Sequence, residues 1–247
     1  MSLIKSIGGK NVNFDFNKEF LSIFSDKIKS SDLKFINQTL EDLHPSDVAN
    51  LIENLSSETR AKLIEIEEFD IDPEIFVEIN ESIQTEILQL LSSDSIAKII
   101  KRLESDNAIS IIENLNIEKK NSVLDKLPPK DRFLLEEGLS YPEDSAARIM
   151  QREFTAVPSD WSVGQTIDYL RESKDLPEEF LEIFVVDNEF KPIGIVPSSR
   201  VLRTPREKKM NTIMREMPVL ISVNMDKEEV GHAFENYNLV SAGVVNK

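Results

Sequence analysis

Ten carboxylates stand between Lys62 and Lys98, from Glu65 to Asp94, with no Lys or Arg among them. Like charges at that density raise one another's energy in water, and a divalent cation relieves the repulsion. Carboxylate oxygen without neighbouring His or Cys suits magnesium or calcium rather than zinc or copper. The plain alternative for any one of these side chains is a solvated helix face. Other chemistry has no carrier. The two histidines, His44 and His232, are far apart and read as a capped turn and a surface helix position. There is no Gly-rich phosphate loop and no G-x-S-x-G, and the chain holds seven glycines in all. The sequence therefore predicts no catalytic residue and no enzyme. Trp161, just before Ser162, reads as a hydrophobic staple rather than a base-stacking platform.

The elements that must position such carboxylates fall into two parts. At 247 residues the chain is long enough for two ordinary domains, each with a core. Residues 1 to 149 hold 29 Asp and Glu against 17 Lys and Arg, while residues 150 to 247 hold 16 against 12, so the first part is the acidic one. A net charge of -16 argues against nucleic acid as a partner, because phosphate binding needs clustered bases. The absence of cysteine excludes disulfides and thiolate metal sites and fits the cytosol. The longest apolar runs fall far short of the roughly 20 residues of a spanning helix, so no membrane segment is expected. Met1-Ser2-Leu3 lacks a signal-peptide layout.

From about Asn17 to Met150, aliphatic residues recur at spacings of three and four and are interrupted about every dozen residues by a cap or a proline. The interruptions are Ser46-Asp47, Ser57, Asp72-Pro73, Ser93-Asp94, Ser105-Asp106, Pro128-Pro129 and Pro142. This predicts short helices without strands. Leu51-Ile52-Glu53-Asn54-Leu55 nearly repeats as Ile111-Ile112-Glu113-Asn114-Leu115, as stacked helix pairs of a superhelix would. After Met150 the pattern changes to a strand near Phe154 to Val157 and a helix from the capping box Ser162/Gln165 to about Arg171. A hairpin of Ile183 to Val186 and Ile193 to Val196 follows, with Asp187-Asn188 at its turn, and then a helix from Ser198 to about Leu202. This β-α-β-β-α unit restarts 64 residues later: Ile149-Met150 returns as Ile213-Met214, and Ser162 returns as Asp226, which with Glu229 forms an acceptor and N3 carboxylate. Val185-Val186 returns at Val244-Val245, and the second copy lacks its last strand and helix.

Two tandem β-α-β-β-α copies beginning with Ile-Met resemble CBS domains. Leu43-His44-Pro45-Ser46-Asp47-Val48-Ala49 and Leu103-Glu104-Ser105-Asp106-Asn107-Ala108 resemble the helical N-terminal domain of MgtE magnesium transporters, and Tyr141 to Met150 resembles that family's junction. The resemblance covers about residues 40 to 245. It implies a multidomain fold: an all-α helical superhelix followed by an α/β CBS pair whose second copy is incomplete. The expected domains are an N-terminal helical lead-in (1–38), an acidic helical domain (39–149), a first CBS copy (150–205) and a truncated second copy (206–247).

The function this implies is the cytosolic magnesium-sensing region of an MgtE-type channel or transporter, at the cytoplasmic face of the bacterial plasma membrane, closing when Mg2+ bridges its acidic domains. The implied partners are a second copy through the CBS part and the transmembrane pore of the same full-length protein. By position in the family, Glu74 and Asp106 are candidate metal ligands on the helical side, and Asp226, Glu228 and Asn238 on the CBS side, with neighbouring Glu235 a further candidate that would partly replace the charge lost at Asn238. Asp226 reads equally well as a helix cap, and Asn238 stands where the family often has Asp. Ala147 and Arg148 replace the junction's usual glycine. CBS units that hold adenosine nucleotides commonly continue from a Gly and two apolar residues to Ser or Thr, with an Asp three positions on. Here Gly194-Ile195-Val196 leads to Pro197 and Arg200, so no nucleotide-binding residue is expected. The rival readings are a soluble CBS regulator sensing adenine nucleotide and a helical scaffold resembling flagellar motor switch proteins.

Overall fold

The computed structural model describes residues 16–41, 43–66, 72–177 and 179–246. They divide into two compact units: residues up to 103 together with 110–132, and residues 104–109 together with 133 onward.

The first unit is helical, as the three- and four-residue spacing predicts. Its helices are α1 (Lys18–Lys29), α2 (Leu33–Glu41), α3 (Pro45–Asn54), α4 (Ser57–Glu65), α5 (Pro73–Glu78), α6 (Glu81–Leu90), α7 (Ser93–Ile100) and α9 (Ile117–Leu124), while α8 (Ser105–Glu113) and α10 (Pro129–Ser140) run across the division. Most begin where a side chain takes up an orphan amide, which stabilises a helix by about 1 kcal/mol, while α10 opens on Pro128-Pro129. Asn17 accepts from the amide of Phe20, Asp72 from Glu74, Asn80 from Ile83 and Asn116 from Lys119. Three caps lie one or two residues ahead of the predicted punctuation: His44 Nδ1 accepts from Ser46 N, and Ser56 and Ser92 do the work assigned to Ser57 and Ser93. In a Ser-Ser pair the first hydroxyl reaches the N3 amide while the second already has helical backbone. The near-repeat is real in three dimensions. Leu55, just past the end of α3, and Leu115, just past the end of α8, are both buried, and the caps that open the next helices, Ser56 and Asn116, are also 60 residues apart. The core is built from Phe24, Ile28, Ile36, Leu51, Ile52, Leu63, Phe76, Ile87 and Ile96. Phe16, Phe20 and Phe24 stack along α1, at centroid spacings of 5.3 and 6.0 Å.

The second unit carries the two α/β copies. The first comprises α11 (Ala146–Ile149), β1 (Ala156–Pro158), α12 (Val163–Glu172), β2 (Glu182–Val186), β3 (Pro192–Pro197) and α13 (Ser198–Arg203), and the second α14 (Met210–Ile213), β4 (Ile221–Ser222), α15 (Lys227–Tyr237) and β5 (Val244–Val245). Strand β1 pairs parallel with β2, which pairs antiparallel with β3, around a core of Val157, Val163, Ile183, Val185, Val196, Val201 and Met210. The Ser162/Gln165 capping box forms, and Trp161 packs edge-on against Tyr169 at 5.4 Å. At the hairpin, Asp187 accepts from the amides of Glu189 and Lys191, both at 2.9 Å. In the second copy Asp226 accepts from Glu228 N, so it caps α15 through N2 rather than through the predicted box with Glu229.

Strand pairing confirms the internal repeat residue by residue. Val157 pairs with Val185 in the first copy, and their counterparts Ile221 and Val244 pair in the second. The copies also exchange matched contacts. Ala146 N donates to Met225 O and Ala147 N to Val223 O; in mirror fashion Met210 N donates to Trp161 O and Asn211 N to Ser159 O. Lys227 N donates to Asp144 O as Val163 N does to Lys208 O. Every one of these residues maps onto its mate by the 64-residue shift, so the two copies are related by a pseudo-twofold axis, each clasped by the other's leading helix. Among the described residues, no helix is long and apolar enough to cross a membrane.

Candidate functional site

In the second unit, carboxylates from distant segments gather at the start of α8. Ser105 fixes it: its amide and hydroxyl donate to Glu153 Oε2 at 3.2 and 2.8 Å, and its oxygen accepts from Arg152 N at 2.9 Å. Gln151 Nε2 donates to Glu104. Asp106, half-buried in the first turn of α8, accepts from Asn107 N at 2.9 Å. Burial raises the Asp106 carboxyl above the ordinary range, opposed by the amide of Asn107, with Glu153 pushing it up and Arg152 pulling it down. Glu104 is raised too, first by desolvation and then by the negative charges of Asp106, Glu153 and Glu179. Burial first and neighbouring negative charge second therefore disfavour the charged forms of Glu104 and Asp106, and added positive charge opposes both. Asp106, Glu153 and Glu179 also line a cleft of about 1590 Å³ whose apolar wall includes Phe154, Phe184 and Phe234.

Of this group the sequence reading singles out Asp106 alone. Glu104 lies inside a quoted motif, but Glu153 and Glu179 lie 47 and 73 residues beyond Asp106, and no local pattern links them.

Glu74 belongs to the first unit. It is exposed on α5, and its amide is taken by the Asp72 cap at 3.0 Å. The carboxylate-rich window around it is less isolated than its composition suggests. Arg60 pairs with Glu86 at 2.7 Å, Lys126 with Asp94 at 2.7 Å, Lys62 with Glu65 at 3.4 Å, and Arg102 approaches Asp72 at 3.9 Å. Arg60, Arg102 and Lys126 come from outside the window, brought in by helix stacking. Glu67, Glu68 and Asp70 lie outside the described residues.

The CBS-side candidates all sit on or beside α15 and are exposed. Asp226 and Glu228 occupy its first turn, with Asp226 engaged as cap at 2.8 Å from Glu228 N. Lys227 between them pairs with Asp144 at 2.5 Å. Glu235 is two turns on from Glu228, and Asn238 ends the helix. An 11-residue helix is about 16 Å long, so its two ends cannot share one ion. Asn238 has a structural reason to be what it is. Its φ is 49° and ψ 50°, the left-handed conformation that closes a helix, which Asn tolerates better than most residues, and the next amide, Leu239 N, returns to Phe234 O at 3.0 Å. Among the described residues no three His, Cys, Asp or Glu side chains converge as a metal site.

Comparison with known proteins agrees with this architecture. The signature of the MgtE intracellular N domain matches residues 43–144, and that of the CBS domain residues 146–207. The magnesium transporter MgtE of Bacillus subtilis is 20% identical over 220 residues, 89% of this chain and 49% of its own length. The magnesium transporter MgtE of Thermus thermophilus is 26% identical over 123 residues, 50% of this chain and 27% of its own. The chain thus spans half or less of the curated relatives it matches. Among solved structures, the cytosolic domain of the Mg2+ channel MgtE in complex with ATP superposes with a TM-score of 0.80 at 22% identity, covering 90% of this chain and 91% of that one. The soluble part of a magnesium transporter superposes at 0.76 and 19%, covering 93% and 90%. With the helical N domain, the CBS repeat and their order all in agreement, residues 43–144 belong to the MgtE intracellular N domain family and residues 146–207 to the CBS domain family, and the chain shares the fold of these two solved structures.

Proposed function

We propose that this chain is the magnesium-sensing region of an MgtE-type channel or transporter, acting at the cytoplasmic face of the membrane as a homodimer joined through its CBS part. The observation that carries the reading is the α8 junction, where burial and neighbouring negative charge disfavour the charged forms of Glu104 and Asp106 and added positive charge opposes both. When Mg2+ is scarce, repulsion keeps the acidic helices and the CBS copies apart. When it is plentiful, ions bridge Glu74 and Asp106 to Asp226 and Glu228, with Glu235 and Asn238 as further oxygen donors. The donor set fits Mg2+, since it is all oxygen. Each residue alone is one weak ligand to a largely hydrated ion, so only several ions acting together favour the closed arrangement. In the longer protein that arrangement would shut a transmembrane pore. No residue is assigned a catalytic role.

Small-angle scattering tests the reading. Millimolar MgCl2 should compact the chain beyond what KCl of equal ionic strength does, because at about 0.15 M the Debye length is near 8 Å and general repulsion is already damped. The double substitution Glu74→Ala, Asp106→Ala should lose the Mg2+ response and keep the KCl response. Equal compaction by both salts would leave only a solvated acidic surface. We propose no nucleotide site by analogy with the relative solved with ATP, because Arg200, in place of a carboxylate that could hold ribose, donates to Ile213 O at 2.9 Å. Calorimetry with ATP in EDTA is expected to give no binding heat.

A further inference from the structure

Arg152 is enclosed beside the α8 junction in an unusual way. Its side chain is only 8% exposed, yet among the described residues neither Nε nor Nη1 has a hydrogen-bond partner. Nη2 donates to Ala147 O at 3.3 Å, and Nε lies 4.0 Å from Glu137 Oε2, beyond hydrogen-bond reach. A guanidinium always carries its charge, and burying it with two donors unmet is costly unless nearby negative charge offsets the cost. Negative charge is present nearby: Glu137 Oε2 lies 4.0 Å from Nε, and Arg152 also favours the ionised form of Asp106, in the helix turn whose Ser105 Oγ accepts from Arg152 N. The main chain fixes the position, since Arg152 N donates both to Ser105 Oγ and to Glu153 Oε2, at 2.9 and 3.2 Å. The facing helix makes room for it. At Gly138 a Cβ would lie 3.1 Å from Nη2 and 2.3 Å from Ile109 Cδ1, so the bare backbone of α10 lets the guanidinium and Ile109 approach.

We infer that Arg152 is a tethered cation that partly neutralises the carboxylates around Asp106 and competes with Mg2+ for them, raising the magnesium concentration at which this region responds. The inference rests on the magnesium reading above and adds a device that sets its threshold. Because the competitor is covalently attached, its local concentration is fixed by geometry. A free divalent ion gains the site only where its higher charge outweighs displacement or repulsion of the guanidinium.

The test is thermal unfolding of the full chain against MgCl2, with KCl adjusted to hold ionic strength constant. Arg152→Gln should melt lower than wild type in EDTA, recover as Mg2+ is added, and reach its midpoint at roughly tenfold less Mg2+. Arg152→Lys, which keeps the charge, should stay near the wild-type midpoint. Glu137→Gln gives a result of opposite sign and serves also if Arg152→Gln does not fold: with Glu137 neutral, the guanidinium is left to the Asp106 group and the midpoint rises. If wild type shows no Mg2+ response and Arg152→Gln gains one, the competition stands and the magnesium reading of the natural chain fails. If Arg152→Gln is destabilised equally with and without Mg2+, or if Glu137→Gln leaves the midpoint unchanged or lowers it, Arg152 is a packing residue and the inference is overturned. If no form responds to Mg2+ beyond KCl, both fall together.

Discussion

Arg60 shows how a single side chain can join helices whose sequence gives no notice of it. Its side chain is 9% exposed, and its Nη1 reaches Leu55 O at 2.5 Å while Nε and Nη2 take both oxygens of Glu86 at 3.2 and 2.7 Å. It thereby closes the C-terminal end of α3, where carbonyls would be orphaned, and clamps α4 to α6. Arg60→Ala is expected to cost about 3 kcal/mol in denaturant unfolding, since it leaves a buried carbonyl and a paired carboxylate unmet. Glu86→Gln should cost less, about 1 kcal/mol, because Glu86 is partly exposed. The pH dependence has a definite sign. The hydrogen bond from Arg60 holds the Glu86 carboxyl below its ordinary value, against a smaller opposing effect of desolvation. A depressed carboxyl contributes stability that is complete above its unfolded pKa and is lost as pH falls through the folded one. Acid unfolding of wild type below about pH 4.5 should therefore be shallower in Glu86→Gln. Equal slopes would remove Glu86 from the account. Asn238 teaches the complementary lesson. Read as a weakened metal ligand, it also sits in the left-handed closing turn of α15. Asn238→Gly should be neutral within a few tenths of a kcal/mol, whereas Asn238→Val should cost about 1 to 2 kcal/mol, with or without Mg2+.

At the scale of elements, the sequence carried what depends on near neighbours. Helical spacing, the Ser162/Gln165 box, the Asp187 turn and the 64-residue return were all legible, because each is a local pattern or a repetition of one. What it did not carry is the use of the leading segments. Ser145 to Ile149 reads as part of a junction, yet Ala146, Ala147 and Arg148 are buried, and the amides of the first two are spent on the second copy. Likewise the carboxylate-rich window looks free of bases because Arg60, Arg102 and Lys126 lie outside it in sequence and arrive only through stacking. The exchange of leading helices predicts how the chain can be cut. A piece beginning at residue 150 loses two amide donors to Met225 O and Val223 O and the Asp144–Lys227 pair, exposing the second copy's partners. It should unfold less cooperatively and at lower temperature than a piece beginning at residue 140, by calorimetry. Equal melting temperatures would mean that the clasp contributes no stability. Asp226 belongs to the same scale: as the cap of α15 it should cost about 1 kcal/mol when replaced by Ala, even in EDTA, so loss of Mg2+ response in that variant must be corrected for lost helix.

For the molecule as a whole, two opposing quantities bear on self-association. The chain carries a net charge of -16, which repels a second copy at long range. The CBS unit, for its part, leaves large apolar side chains in water, Leu181 at 73%, Phe190 at 65% and Val240 at 62%, and among the described residues β5 pairs on one side only, with β4. Exposed apolar surface and an open strand edge favour association at short range. The charge acts over a Debye length and the apolar contact does not, so salt separates them. Sedimentation equilibrium should show a dimer that tightens as KCl rises from about 10 mM, where the Debye length is near 30 Å, to about 150 mM, where it is near 8 Å. A contact held by ion pairs would weaken instead. Replacing Leu181 and Val240 by Lys should break the dimer at all salt concentrations even though it lowers the net negative charge, because a buried ammonium without a partner costs more than the screened repulsion it removes. A dimer that survives this double substitution would place the contact elsewhere on the CBS part. A chain that stays monomeric at every salt and protein concentration would show that the two copies within one chain already satisfy each other.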